Sequence, residues 1–247
     1  MTARFTTRLI IAGLTAAVVS FPATAQAKRY TDIKAPALPP FVVPQPVAFT
    51  LANGLRVFLM EDHEIPVISV RTLVRTGAFW EPQDKIGLAR LTGAVQRTGG
   101  TTSMTGDRID DFVEARAASV ETGIGGDSGT ASMNCLKQDF DDVFKVYLDV
   151  LKNPAFAEDK LALAKVQANA SIARRNDNVG GITGREIGRL VYGPDSPLVS
   201  LEQYVTIAAI TRDDLVAWHK TYYRPNNMML GISGDFDAKT MRKTIEK

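Results

Sequence analysis

Residues 49–78, FTLANGLRVFLMEDHEIPVISVRTLVRTGA, decide how the chain is read. Two apolar runs flank Asn53-Gly54, a pair that tolerates the left-handed backbone of a two-residue hairpin turn. Beyond Pro66, apolar residues alternate with Ser69, Arg71 and Arg75, the period of a strand buried on one face. The stretch therefore predicts adjacent antiparallel strands. Working outward, the period changes to that of helices over 85–96, over 105–118 and over 139–152. In the second, Thr105 can cap and Ile109, Phe112 and Val113 share a face; in the third, Phe140, Val143, Phe144, Tyr147, Leu148 and Leu151 do. Between these two helices, SVETGIGGDSGTASMNCL (119–136) reads as a hairpin turning at Gly125-Gly126-Asp127-Ser128-Gly129. Further helices are expected over 158–176 and, capped by Thr211, over 211–222, before a last strand in NNMMLGISGDF (226–236). Hairpins with helices grouped between them argue for an α+β fold, an antiparallel sheet with helices packed on one face.

The first 27 residues stand apart. Arg4 and Arg8 precede the apolar run Leu9–Phe21, and Ala25-Gln26-Ala27 supplies a small-x-small cleavage pattern, so residues 1–27 read as a secretory signal peptide. The apolar run, at 13 residues, is short for a bilayer span. Five prolines between Pro36 and Pro46 make residues 28–47 an extended arm, and the folded domain is expected over 48–247. The formal charge of +2 vanishes once Arg4 and Arg8 are removed, and no Lys/Arg cluster remains to neutralise phosphates, which argues against a nucleic-acid partner. The single cysteine, Cys135, cannot form an internal disulfide, and its alternating context suits a small buried side chain. An exported chain that needs no disulfide suits a periplasm, or secretion, and after signal cleavage nothing ties it to a membrane.

A second stretch, GLARLTGAVQRTGGT (Gly87–Thr101), has the frame of a catalytic helix without catalytic residues. Together with it, Leu51, Asn53-Gly54-Leu55, Val57, Pro66, Gly77, Glu81-Pro82 and Gly87-Leu88-Ala89 resemble the opening of the insulinase/pitrilysin family of metallopeptidases. Tyr222-Tyr223, Pro225-Asn226-Asn227 and Gly234-Asp235 resemble the close of that family's first structural half, so the likeness brackets roughly residues 48–240. The resemblance implies one half of the insulinase or mitochondrial-processing-peptidase-like fold.

In that family an inverted motif, H-x-x-E-H, follows Gly-Leu-Ala. Two histidines one helical turn apart share a zinc ion, the glutamate activates its water, and a distant glutamate completes the ligands. Position by position, the first histidine becomes Arg90, the glutamate Gly93 and the second histidine Ala94, while the distal ligand falls on or near Ala170. Neither Ala nor Gly has a donor atom, and a guanidinium repels a dication, so no catalytic residue, metal ligand or cofactor is expected here. Leu88, Leu91 and Val95 still give the helix an apolar face.

Chemistry elsewhere finds little footing. The two histidines, His63 and His219, lack catalytic companions, and Ser128 sits in a turn. The resemblance thus implies a non-catalytic, peptide-binding or chamber-forming subunit of a periplasmic zinc peptidase complex, its partners being a homologous zinc-bearing subunit and extended peptides. Two alternatives stay open: a stand-alone peptide-binding or scaffolding protein, and an active peptidase with a zinc motif beyond residue 247. Because the family joins two related halves, the chain is expected to be a piece of a longer polypeptide or a single half that pairs with another chain.

Overall fold

The computed structural model describes residues 30–32, 37–38, 40 and 43–246. The expected signal peptide at 1–27 lies outside the described residues, as does much of the arm. Residues 44–247 form one compact unit; residues 1–43 fall in another, of which a 3-10 turn at Tyr30–Asp32 is described.

Within the larger unit, β1 (Val47–Thr50) and β2 (Arg56–Glu61) form the hairpin expected around Asn53-Gly54. Gly54 takes φ 88 there, the left-handed conformation the turn requires. β3 spans Val67–Val74, β4 Ser119–Ile124, β5 Gly129–Leu136 and β6 Met228–Gly234. One six-stranded sheet results, in the order β1-β2-β6-β3-β5-β4. The expectation that β2 and β3 are neighbours is corrected: β6 lies between them, parallel to β2 and antiparallel to β3. Its inward Leu230 and Ile232 are buried beside Val57, Leu59, Ile68 and Val70, so an apolar strand from the far end of the chain fills the middle of the sheet.

The described residues include eight helices. They are α1 (Leu88–Thr98), α2 (Gly106–Glu114), α3 (Phe140–Lys152), α4 (Glu158–Ala173), α5 (Val179–Tyr192), α6 (Tyr204–Ala209), α7 (Arg212–Tyr222) and α8 (Ala238–Ile245). The first helix starts at Leu88 rather than Lys85, because Gly87 at φ 108 breaks the chain direction. Thr105 and Thr211 cap α2 and α7 as expected; α2 ends at Glu114, short of Ala118, where Ala117 turns to φ 48. Helix α4 ends at Ala173 rather than Asn176. Helices α5 and α6 had no counterpart in the sequence reading.

Two cores follow. In the first, the inner sheet face meets Ile109 and Val113 of α2, Phe140, Val143, Phe144 and Tyr147 of α3 and Met241 of α8. Tyr147 crosses it and donates from Oη to Thr72 Oγ1 at 2.6 Å; burial pushes the phenol up to about 12. Cys135 is buried in the same layer, its thiol pushed up to about 11 by burial, which makes it a packing residue. The second core joins Leu88, Leu91 and Val95 of α1 to Leu161, Ala164 and Ala168 of α4, Ile207 of α6, Leu215 and Trp218 of α7, and Ile124 at the end of β4. The other sheet face, with Phe58, Ser69, Arg71, Ser132, Asn134 and Ser233, stays exposed or half-exposed.

Candidate functional site

Helix α1 sits where the two cores meet, and Glu81 anchors its start. The Glu81 carboxylate accepts from the Gly87 and Ala89 backbone N–H groups at 3.0 and 2.6 Å, satisfying donors that a helix N-terminus leaves open. Burial pushes the Glu81 carboxyl above its ordinary range, the two N–H bonds and Arg90 oppose the shift, and the nearby Glu202 charge adds to it.

The four motif positions have separate fates. Arg90 is exposed and grips Glu202 with both arms, Nε to Oε1 at 2.5 Å and Nη2 to Oε2 at 2.7 Å. This hydrogen-bonded carboxylate raises the already high pKa of the guanidinium. Glu202 is tied in turn, its carbonyl accepting from Arg175 Nη2. Arg175 passes the link on, its own carbonyl accepting from Arg185 Nη1 at 3.0 Å on α5.

Gly93 is buried against β4. A Cβ at this position would lie 2.4 Å from Ile124 N and 2.7 Å from Gly123 C. Thr122 Oγ1 donates to the Gly93 carbonyl at 2.7 Å, and Arg97 Nε donates to Val120 O at 3.0 Å while its guanidinium pairs with Asp110. These contacts hold α1 against β4, an edge strand of the sheet, and take up the Val120 carbonyl. Ala94 is half-buried. Ala170 is exposed on α4, whereas its neighbour Asn169 turns partly inward with Oδ1 buried and unpartnered. Helices α1 and α4 therefore meet through leucines, valine and alanines. Arg90, Gly93, Ala94 and Ala170 present no donor set that fits zinc, the guanidinium being committed to Glu202. Among the described residues no group of three or more His, Cys, Asp and Glu side chains is placed to hold a metal ion.

The remaining candidates are scattered. His63 is exposed, its Nδ1 2.6 Å from Asp235 Oδ1, and that hydrogen bond raises its pKa. His219 lies half-buried, with Nε2 2.9 Å from Leu151 O and the ring stacked on Tyr223; burial lowers its pKa. The Ser128 hydroxyl donates to Asp127 Oδ1 at 3.1 Å in its turn, and the Ser128 carbonyl accepts from the Gly125 N–H at 2.8 Å. Sequence reasoning missed Glu81 and Glu202, the carboxylates that organise α1. Only the Glu81-Pro82 pair and the isolated position of Glu202 marked them, and neither has a periodic signal.

Comparisons with known proteins bear on the family and the fold. The family model for insulinase (peptidase family M16) matches residues 56–182, just over half the chain, and the model for the peptidase M16 inactive domain matches residues 209–247. An uncharacterized zinc protease of Rickettsia felis is 20% identical over 199 residues, which are 80% of this chain and 48% of that protein. Among solved structures, a peptidase M16 inactive domain from Pseudomonas fluorescens superposes with a TM-score of 0.76 at 24% identity, covering 82% of this chain and 49% of that one. The periplasmic protease PqqL from Escherichia coli gives 0.71 at 18% identity, over 83% of this chain and 24% of that one. The chain spans about half the length of the curated relatives it matches.

Proposed function

Since the chain belongs to the insulinase family, peptidase family M16, we propose that it is a catalytically silent subunit of a zinc peptidase, exported to the periplasm or secreted. It binds extended peptide and shapes the chamber while a homologous partner carries the zinc. The observation that carries this reading is the packing at Gly93: the position of the family's general base has no room for a side chain, and β4 backbone lies where one would project. Arg90, at the first ligand position, is held in an ion pair instead. The fold around both is intact, so the helix has kept its structural task and lost its chemical one.

A docking surface supports the partner. Helix α5 buries none of its residues, and Val179, Ile187, Leu190, Val191 and Tyr192 are exposed along it; Leu198, Tyr204 and Val205 add apolar surface just beyond. Such clustering on a water-exposed element is what a second subunit would cover. No helix of the described residues is long and apolar enough to cross a membrane.

The test is zinc content and peptidase activity of protein purified from Lys28 onward, alone and mixed with an H-x-x-E-H homologue from the same organism. The expected outcome is no zinc and no cleavage alone, with cleavage by the homologue enhanced in the mixture. Stoichiometric zinc or chelator-sensitive cleavage by this chain alone overturns the reading. Peptide binding without any effect on the homologue points to a stand-alone binding protein.

A further inference from the structure

The sheet face turned away from the helices carries a shallow trough of about 620 Å³, lined by residues of β2, β3, β5 and β6 with Pro46 at one end. One row of it can be read from the strand registers: Phe58, Gly231, Arg71 and Ser132 lie side by side on four adjacent strands, roughly 14 Å across. The next row holds Met60, Ser233, Ser69 and Asn134. Gly231 makes the trough, since a Cβ there would meet only Arg71 O at 3.8 Å and stand in open space. Arg71 is the one charged residue of the lining, and no carboxylate pairs with it among the described residues. The nearest acid in its row is Glu121, two strands away beyond Ser132. Arg56 stands over the Phe58 ring at 5.5 Å and adds positive charge at the other end of the row.

Resting on the peptide-binding reading above, we infer that this trough takes an extended peptide with an acidic side chain, its carboxylate on Arg71 and a neighbouring apolar side chain against Phe58 and Met60. The charge pattern selects the acid, because an unpaired guanidinium offers a forked pair of donors that a carboxylate matches. The length of the trough and its seryl and amide groups on successive strands suit a chain of several residues, whereas a small anion would fill only the end at Arg71. The edge of β4 is partly taken up by α1, Arg97 Nε donating to Val120 O and Gly93 lying close against Ile124, whereas this face is open across four strands.

The experiment measures anisotropy of two end-blocked, labelled hexapeptides that differ only in Glu against Gln at one central position. The expected result is about fivefold tighter binding of the Glu peptide, the size of one exposed charge pair, and loss of that preference in Arg71→Gln. Arg71 is exposed, so this substitution leaves the core untouched. A second variant, Gly231→Leu, fills the trough and should weaken both peptides. Equal affinity for the two peptides, or a preference that survives Arg71→Gln, overturns the trough and leaves the peptide-binding reading standing. Failure of both peptides to bind overturns both, and so does a site that takes inorganic phosphate and neither peptide.

Discussion

Helices α1 and α5 are similar in length and opposite in burial. Eight of the 11 residues of α1 are buried, and none of the 14 in α5 is. Helix α1 carries the motif positions Arg90, Gly93 and Ala94, and α4, α6, α7 and β4 grip it from several sides. Helix α5 keeps its place through an Asn178 cap and the Arg185 bonds to residues 175 and 176, while its apolar residues find no cover. The difference separates two uses of apolar residues: those of α1 fill the second core around Gly93, and those of α5 lie outside both cores.

Truncating one leucine in each helix gives the largest contrast. Leu91 is fully buried, and Leu91→Ala should lower stability by about 2–5 kcal/mol, the range for cavities of this kind. Leu190 is 86% exposed, and Leu190→Ser should change stability by less than about 0.5 kcal/mol while reducing self-association. Denaturant unfolding with sedimentation velocity reads both, and a large loss of stability at Leu190 would break the comparison. Glycines sharpen it, because one added methyl should act with opposite sign. Gly93→Ala drives a Cβ into β4 and should cost about 1–3 kcal/mol. Gly184→Ala in α5 meets nothing within 4 Å and should stabilise by about 0.5–1 kcal/mol. If Gly93→Ala were neutral in the same melts, β4 would have to yield, and the case for a closed base position would weaken.

The contrast also governs what could be read in advance. Strand β3 was legible because Ile68, Val70 and Val74 alternate inward, and α3 because its aromatic and aliphatic residues recur at helical spacing. Helix α5 was hidden by its composition: Gly180, Gly181, Gly184 and Gly188 lower its propensity, and its apolar residues do not face a core of this chain. The place of β6 left no local trace, since its pairing joins residues about 170 positions apart in sequence, as Arg56 with Met229. At the candidate site, Arg90, Gly93 and Ala94 could be placed by counting from Gly-Leu-Ala. Their partners could not: Glu202 lies 112 residues from Arg90, and a single acid in a loop has no period to betray it. The sequence could not tell which way the residues around Ala170 face: Ala170 is exposed and Asn169 turns partly inward, and the small residues of that helix give its register few marks.

The smallest expected effect is a pH slope at the start of α1 that α5 should lack. Burial raises the folded-state pKa of Glu81 above the ordinary 4.5, so the folded chain holds this proton more tightly than the unfolded one. The stability it contributes is fully present below about pH 4.5 and is lost as pH rises through the folded value. Above that value the carboxylate is ionised in a partly buried place beside Glu202, with the two N–H groups of α1 and the Arg90 guanidinium as compensation. Glu81→Gln removes the titration, so the wild-type advantage over this variant should grow from neutral pH toward pH 4.5. The same pair of melting curves for an α5 variant, Leu190→Ser, should run parallel across that interval. An advantage for Glu81 that is constant with pH would mean that the carboxyl is well hydrated, and that the start of α1 is more open than its packing against α6 and β4 implies.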